Sequence, residues 1–337
     1  MKGPGHYVVR PYVDGDEQGI VALFRAVFGA GDARLPGRDL AWWHWEFATR
    51  PRGAQIMLGI DAETGAVIAQ YAALVARFTV ANADEILTQP VDSMVDPAWR
   101  GSGAFLATAR RYFEVFGNAN VCLASYGFPN PRAARLGRRQ LGYIPTFAPI
   151  TTLHANLFTA GRWQPLESHV SALRIVEVKR FGAEVDALWA KVRRAYPFAL
   201  VRDAAYLNWR FADAPAPHHL YLALDAAGDT VRAAFAVRER WCADSIVALA
   251  DYLAAPGDDE TLHAVLAFVV RRARAGGYGR VETWLPPRSR LFARAHALGL
   301  ESEASPSSMV ARFYRPREEL QWYLDHWHYT IGDSDVF

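Results

Sequence analysis

Lysine is nearly missing from this chain: Lys2, Lys179 and Lys191 are the only ones among 37 basic residues, and the rest are arginine. Cysteine is scarcer still. Cys122 and Cys242 lie too far apart to be read as a disulfide framework, and no Cys-x-x-Cys or Cys/His spacing offers a zinc site, so a reducing, cytoplasmic setting without a bound metal is the expectation. His218, His219, His326 and His328 likewise lack partners at metal-ligand spacing and read as packing or surface residues. No apolar run reaches the roughly 18 residues of a membrane helix, and residues 1–13 carry charge and proline where a signal peptide needs an apolar stretch. An excess of charge of either sign is also missing. A formal net charge of +2 gives no broad electrostatic capture of nucleic acid or of an anionic membrane, and neither is expected as a partner.

What is present is hydrophobic mass and a repeat. At 337 residues and 51% hydrophobic, the chain has material for two domains. Residues 38–48 align without a gap on residues 202–212, with six of the eleven positions identical: Arg38/Arg202, Asp39/Asp203, Ala41/Ala205, Trp45/Trp209, Phe47/Phe211 and Ala48/Ala212. Each copy is preceded by a strand (8–12 and 173–178) and an amphipathic helix (16–28 and 183–195), with apolar residues at helical spacing. Each is followed by a hairpin (55–61 with 66–80, and 220–225 with 231–237). Strand, helix, strand and helix then follow at 87–95, 104–115, 119–126 and 132–140, and again at 245–252, 260–274, 280–285 and 288–297. The expected fold is therefore α+β in two tandem copies. The first spans 1–150, a connector 151–170, the second copy 171–316, and an aromatic tail 317–337 that should dock onto a domain.

The chemistry concentrates in 91–105, where a strand enters a turn with Gly101 and Gly103 and the turn opens a helix. Such a turn directs unpaired backbone N–H groups and the positive end of the helix dipole at one point, an anion site to which Arg100 adds charge. Further on, Asn130, Ala133 and Leu136 precede the closing pair Gly142-Tyr143. Together these motifs resemble the GNAT superfamily of acyl-CoA-dependent N-acyltransferases. Arg100 and Gly103 match its phosphate turn, with Gly101 at a variable position, and 130–143 match its later motif. The resemblance covers 8–150 and extends to the second copy through the repeat.

The resemblance implies a mixed, mostly antiparallel sheet flanked by helices in each copy, splayed strands ending near Val95 and Tyr126, and acetyl-CoA or another acyl-CoA as co-substrate. Pantetheine would bond the backbone near Met94 and Val95. The amides of Gly101, Ser102, Gly103, Ala104 and Phe105 would hold the diphosphate, and Asn130 would contact the cofactor arm. A small-molecule amine would attack the thioester directly. Asp92 is the preferred base, with Glu85 as the alternative and a bracing role as the competing reading of Asp92; Tyr126 could supply the acid. Two positions depart from the family: Phe105 stands where Gly or Ala is usual, and Gly137 where many members have a tyrosine acid. Trp42, Trp43 and His44 differ between the copies and are candidate acceptor contacts, whereas Trp45 and Phe47 recur and read as packing. In the second copy Asp258, Asp259 and Glu260 replace the phosphate turn and Pro287 stands near the place of Asn130, so that copy is expected to be non-catalytic. The competing function is a non-catalytic acyl-CoA sensor or pseudoenzyme. The oligomeric state is open.

Overall fold

The computed structural model describes residues 6–29, 38–159 and 161–335, with the side chains of 145, 146, 149, 306 and 307 excepted. The first copy runs β1 (Tyr7–Pro11), α1 (Glu17–Phe28), α2 (Leu40–Trp43), β2 (Ala54–Asp61), β3 (Val67–Val80), β4 (Ala83–Val95), α3 (Ala104–Val115), β5 (Ala124–Gly127) and α4 (Pro131–Gln140). After β6 (Ile144–Asn156) and α5 (Gln164–Glu167) the second follows: β7 (Arg174–Val178), α6 (Ala183–Val192), β8 (Phe198–Leu200), α7 (Ala204–Leu207), β9 (His219–Leu224), β10 (Val231–Glu239), β11 (Ile246–Ala254), α8 (Asp259–Ala275), β12 (Arg280–Trp284) and α9 (Arg290–Ala297). The chain closes with β13 (Glu301–Phe313), α10 (Leu320–His326) and β14 (Trp327–His328).

The strands join in one mixed sheet along the path β1-β2-β3-β4-β5-β13-β6-β12-β11-β10-β9-β7. Along that path the pairs are antiparallel except β4 with β5 and β11 with β12, so each copy has one parallel step at the same place. The periodicity of the sequence locates most of these elements within a few residues. It misses an exchange. β13, from the end of the second copy, pairs with β5 of the first, while β6, which follows the first copy, pairs with β12 of the second. The expected boundary at residue 150 falls inside β6. Leu153 and Ala155 are fully buried and Thr152 and His154 nearly so, which removes the in/out alternation that marks a half-exposed strand.

The repeated segment folds alike twice. Asp39 and Asp203 each accept the backbone N–H three residues on at 2.8 Å, starting α2 and α7. Each helix then widens into a π-turn, His44–Ala48 and Asn208–Ala212. The turns present Trp45 and Trp209 to one another across the molecule. Their rings stack at 5.3 Å and 12°, and each indole N–H donates to the other residue's carbonyl, at 2.7 and 2.8 Å. Neither indole is left with the cost of an unmet buried donor. The pair expected to be core packing within each copy thus packs between the copies.

Hydrophobic cores surround this seam. Ile20, Leu23 and Phe24 of α1 pack on Phe47, Val91 and Met94; Tyr112 and Phe113 of α3 pack on Met57 and Tyr71 on the other face. α6 and α8 cover β9 to β11 of the second copy. Where the copies meet, Phe78, Tyr126, Phe147, Phe198 and Trp327 gather, so the aromatic C-terminal segment is docked with Trp327 at 3% exposure. Burial of each such ring contributes about 1.5–3 kcal/mol.

Candidate active site

β4 and β5 pair only at Leu87↔Ala124 and Thr88↔Ser125, where the Thr88 and Ser125 hydroxyls meet at 2.7 Å; beyond that point they part. On its other edge β4 carries a bulge. Met94 pairs with Gln70 and Val91 with Ala72, leaving Asp92 and Ser93 opposite Tyr71 alone. Asp92 takes φ +48°, and its carbonyl accepts from Gln70 Nε2 at 3.1 Å. Simple alternation would put Asp92 and Met94 on one face and Ser93 and Val95 on the other. The inserted residue overrides that pattern: Val91 and Met94, three apart, enter the same core beneath α1.

The turn after β4 has the expected form. Gly101 and Gly103 lie at φ +82° and +90°, and Gly103 is the N-cap of α3. The Ala104 N–H is taken by Ser102 Oγ at 3.2 Å, while those of Gly103, Phe105 and Leu106 find no acceptor among the described residues. Arg100 is exposed beside them. Phe105 is half-buried with its ring 6.2 Å from that of Tyr71, at the edge of the α3 core. Asn130 caps α4, its Oδ1 accepting from Arg132 and Ala133 at 3.1 and 2.9 Å. Gly137 lies against the Tyr143 ring, 3.3 Å from where a Cβ on Gly137 would stand. In the second copy the corresponding helix α8 is closed from within, because Asp258 accepts from the Thr261 N–H and hydroxyl and is itself held by Arg232 at 2.6 Å.

Around the bulge lies a buried ionic cluster. Arg38 bonds Asp92 and, at 2.5 Å, Glu46; Asp335, from the C-terminal segment, stands close enough to feel the charges of Arg38 and Asp92. Burial raises the pKa of Asp92 and Glu46, opposed by Arg38, and pushes Asp335 up to about 6. The pair recurs: Arg202, aligned with Arg38, bonds Asp251 of β11 at 2.9 Å, and β11 is bulged against β10 just there, between Ala236 and Val237. An Arg–Asp brace of the bulge therefore belongs to both copies, and Glu46, opposite Arg210 in the repeat, is peculiar to the first. Glu85 is held by Arg315 and Arg317 at 2.6 Å each, a link between β4 and the chain beyond β13. Tyr126 is fully buried among Phe78, Phe128 and Trp327; its hydroxyl has no partner among the described residues and burial drives its pKa well up.

One residue past the last β4–β5 pair, Gln89 borders a recess of about 270 Å³, counted to its open mouth, that Glu46, Arg50, Trp209, Arg210 and Asp335 also line. Sequence reasoning missed these charged residues, because Arg50 and Asp335 lie outside any motif and Glu46 lies inside the tryptophan-rich repeat. Trp43 packs under α1 against Tyr12 and Phe47, Trp42 abuts Trp45 at 5.4 Å, and His44 is exposed, so none of the three lines the recess. The fold also gathers His169, Glu260 and His263, with donor atoms within 4.8 Å of one another. The two imidazoles stack 3.6 Å apart at 15°, so their in-plane lone pairs run side by side and do not converge on one ion.

Solved structures share this fold over more than nine-tenths of the chain. A GCN5-related N-acetyltransferase from Anabaena variabilis superposes with a TM-score of 0.67 at 13% identity, covering 91% of this chain and 73% of that one. The chain has the GNAT fold in tandem. A second GCN5-related N-acetyltransferase, from Kribbella flavida, gives a TM-score of 0.60 at 16% identity over 92% of this chain and 71% of its own. Saccharomyces cerevisiae N-myristoyltransferase with bound myristoyl-CoA gives 0.59 at 10% over 94% and 81%. No protein-family model and no curated protein matches the sequence. Among the described residues, no helix of this tandem GNAT fold is long and apolar enough to cross a membrane.

Proposed function

We propose that the chain is an acyl-CoA-dependent N-acyltransferase, using acetyl-CoA to acylate the amine of a small acceptor by direct attack. The observation that carries this reading is the contrast between the two helix starts. In the first copy the N–H groups of Gly103, Phe105 and Leu106 have no acceptor among the described residues, beside exposed Arg100; in the second, Asp258 fills the same place with the chain's own carboxylate. A diphosphate fits the former and is repelled by the latter. The first copy is then the catalytic one, with the second shaping the acceptor side.

Acetyl-CoA supplies an activated carbonyl on a thiolate leaving group. On the protein's side, the β4 backbone at Met94 and Val95 is unpaired toward β5 and offers bonds to the pantetheine amides. Asp92 and Glu46 share one guanidinium, Arg38, so two carboxylates compete for a single counter-charge, and one of them is left basic enough to take the amine's proton. Tyr126, the acid expected from the sequence, has its hydroxyl buried among aromatic rings with its pKa raised by burial, so the sulfur leaves as the thiolate with no proton from it.

The test is thiol release from acetyl-CoA with a panel of amines, in the wild type and in Asp92→Asn and Glu46→Gln. Each substitution is expected to lower kcat about 100-fold or more with acetyl-CoA affinity unchanged. Unaltered kcat in both would remove the carboxylate pair from the mechanism. Acetyl-CoA binding without turnover of any amine would leave a binding protein in place of an enzyme.

A further inference from the structure

We infer that the acceptor is a zwitterion of the amino-acid class, with its carboxylate held by Arg50 and its amine turned toward Glu46; this rests on the acyltransferase reading above. Arg50 is 6% exposed, its Nε donates to the Val75 carbonyl at 2.8 Å, and its guanidinium lies over the Trp209 ring at 4.2 Å. Its terminal nitrogens have no carboxylate and no carbonyl partner among the described residues, although they border the recess. The other buried arginines are neutralised or bonded. Arg38 holds Glu46 and Asp92, Arg202 holds Asp251 and Asp333, and Arg210 donates to the carbonyls of Gly332 and Ser334. A buried guanidinium whose terminal nitrogens bond no carboxylate is favourable ground for an anionic ligand, and a planar cation held over an indole is pre-oriented for a carboxylate.

The repeat sharpens the assignment. Arg50 stands opposite Ala214, and Glu46 opposite Arg210, so neither is required by the way this segment folds. They are four residues apart and both line the recess, a cation and an anion presented together. The border of the recess at Gln89, just past the last β4–β5 pair, faces an amine on the adjacent carbon toward the parted strands. In the step itself the zwitterion's ammonium first gives one proton to water, the neutral nitrogen forms a bond to the thioester carbon, the carbon–sulfur bond breaks, sulfur leaves as the CoA thiolate, and the nitrogen's second proton passes to the Glu46–Asp92 pair.

The experiment is thermal-shift and calorimetric titration of the full chain with the common amino acids and with their carboxamides, in the wild type, Arg50→Gln and Arg50→Lys. Expected is binding of one or more acids, at least tenfold weaker binding of the matching amide, loss of about 10- to 100-fold in Arg50→Gln, and partial retention in Arg50→Lys. Unchanged acetyl-CoA affinity in Arg50→Gln shows that the variant is folded, and the acid-against-amide comparison needs no variant. Equal binding of acid and amide, equal binding by Arg50→Gln, or no binding of any amino acid overturns the inference. Amino-acid binding by a protein that binds no acyl-CoA would instead sink the acyltransferase reading and leave the Arg50 site standing.

Discussion

Substituting Gly103 by glutamate separates the two copies by experiment. Gly103 sits at φ +90°, so any side chain there costs about 1–2 kcal/mol of backbone strain. An added Cβ meets only the Tyr7 hydroxyl, at 3.7 Å, so packing is not disturbed and the melting temperature should fall by about 2–8 °C. The effect on cofactor binding is larger. Hydrogen bonds to a charged group contribute about 1.5–3 kcal/mol each. A carboxylate that covers or repels at two of the open N–H groups therefore costs about 3–6 kcal/mol, a 100- to 10,000-fold loss of acetyl-CoA affinity. Gly103→Ala carries the same strain without the charge and should lose less than tenfold. Gly257→Glu, at an exposed position beside the existing Asp258 cap, should change affinity by no more than about 0.5 kcal/mol. Calorimetric titration with acetyl-CoA and with free CoA at one ionic strength reads all three. Equal binding by Gly103→Glu and wild type, or equal loss in Gly103→Glu and Gly257→Glu, would refute the assignment of the turn.

Arg202→Met strands Asp251 and Asp333 without their shared cation in a site at most 4% exposed, and should cost about 3–5 kcal/mol in urea unfolding, part of it recovered by adding Asp251→Asn and Asp333→Asn; a shift under 0.5 kcal/mol would show the network to be idle. Asp335, with its pKa pushed up to about 6, holds a proton in the native state that the unfolded chain releases near pH 4, so its contribution to stability falls as pH rises from about 4 to 6. Asp335→Asn should therefore flatten the stability–pH curve in that window relative to wild type, and superimposable curves would place Asp335 in contact with water.

The elements legible in the sequence were those whose burial is one-sided. α1 shows Ile20, Leu23 and Phe24 on one face, and the turn at Gly101 and Gly103 declares its backbone by glycine alone. β6 and β13 were not read as an exchanged pair, because each is covered by the other copy and nothing local names the partner. The bulge at Asp92 was hidden for a related reason: an extra residue in a strand changes which face follows without changing composition. The same holds for the site. The glycine turn is a local motif, whereas the recess joins Arg50, Gln89 and Asp335 from three distant stretches that long-range contacts such as Trp45–Trp209 and Gln89–Asp335 bring together.

That contact also explains why a copy without a phosphate turn is retained in the fold. Trp209 stacks on Trp45 on one side and lies over the Arg50 guanidinium on the other, and Arg210, which replaces Glu46 in the alignment, enters the same recess. β13 covers the free edge of β5, and the segment after it returns Asp335 to the first copy's carboxylates. The second copy and the C-terminal segment add to the recess the rings of Tyr206 and Trp209, a second guanidinium, Arg210, and a second carboxylate, Asp335. Divergence of the two copies follows from this division. On the proposed function the first would keep its helix start open to an anion, while the second closes its own with Asp258 and contributes at the seam.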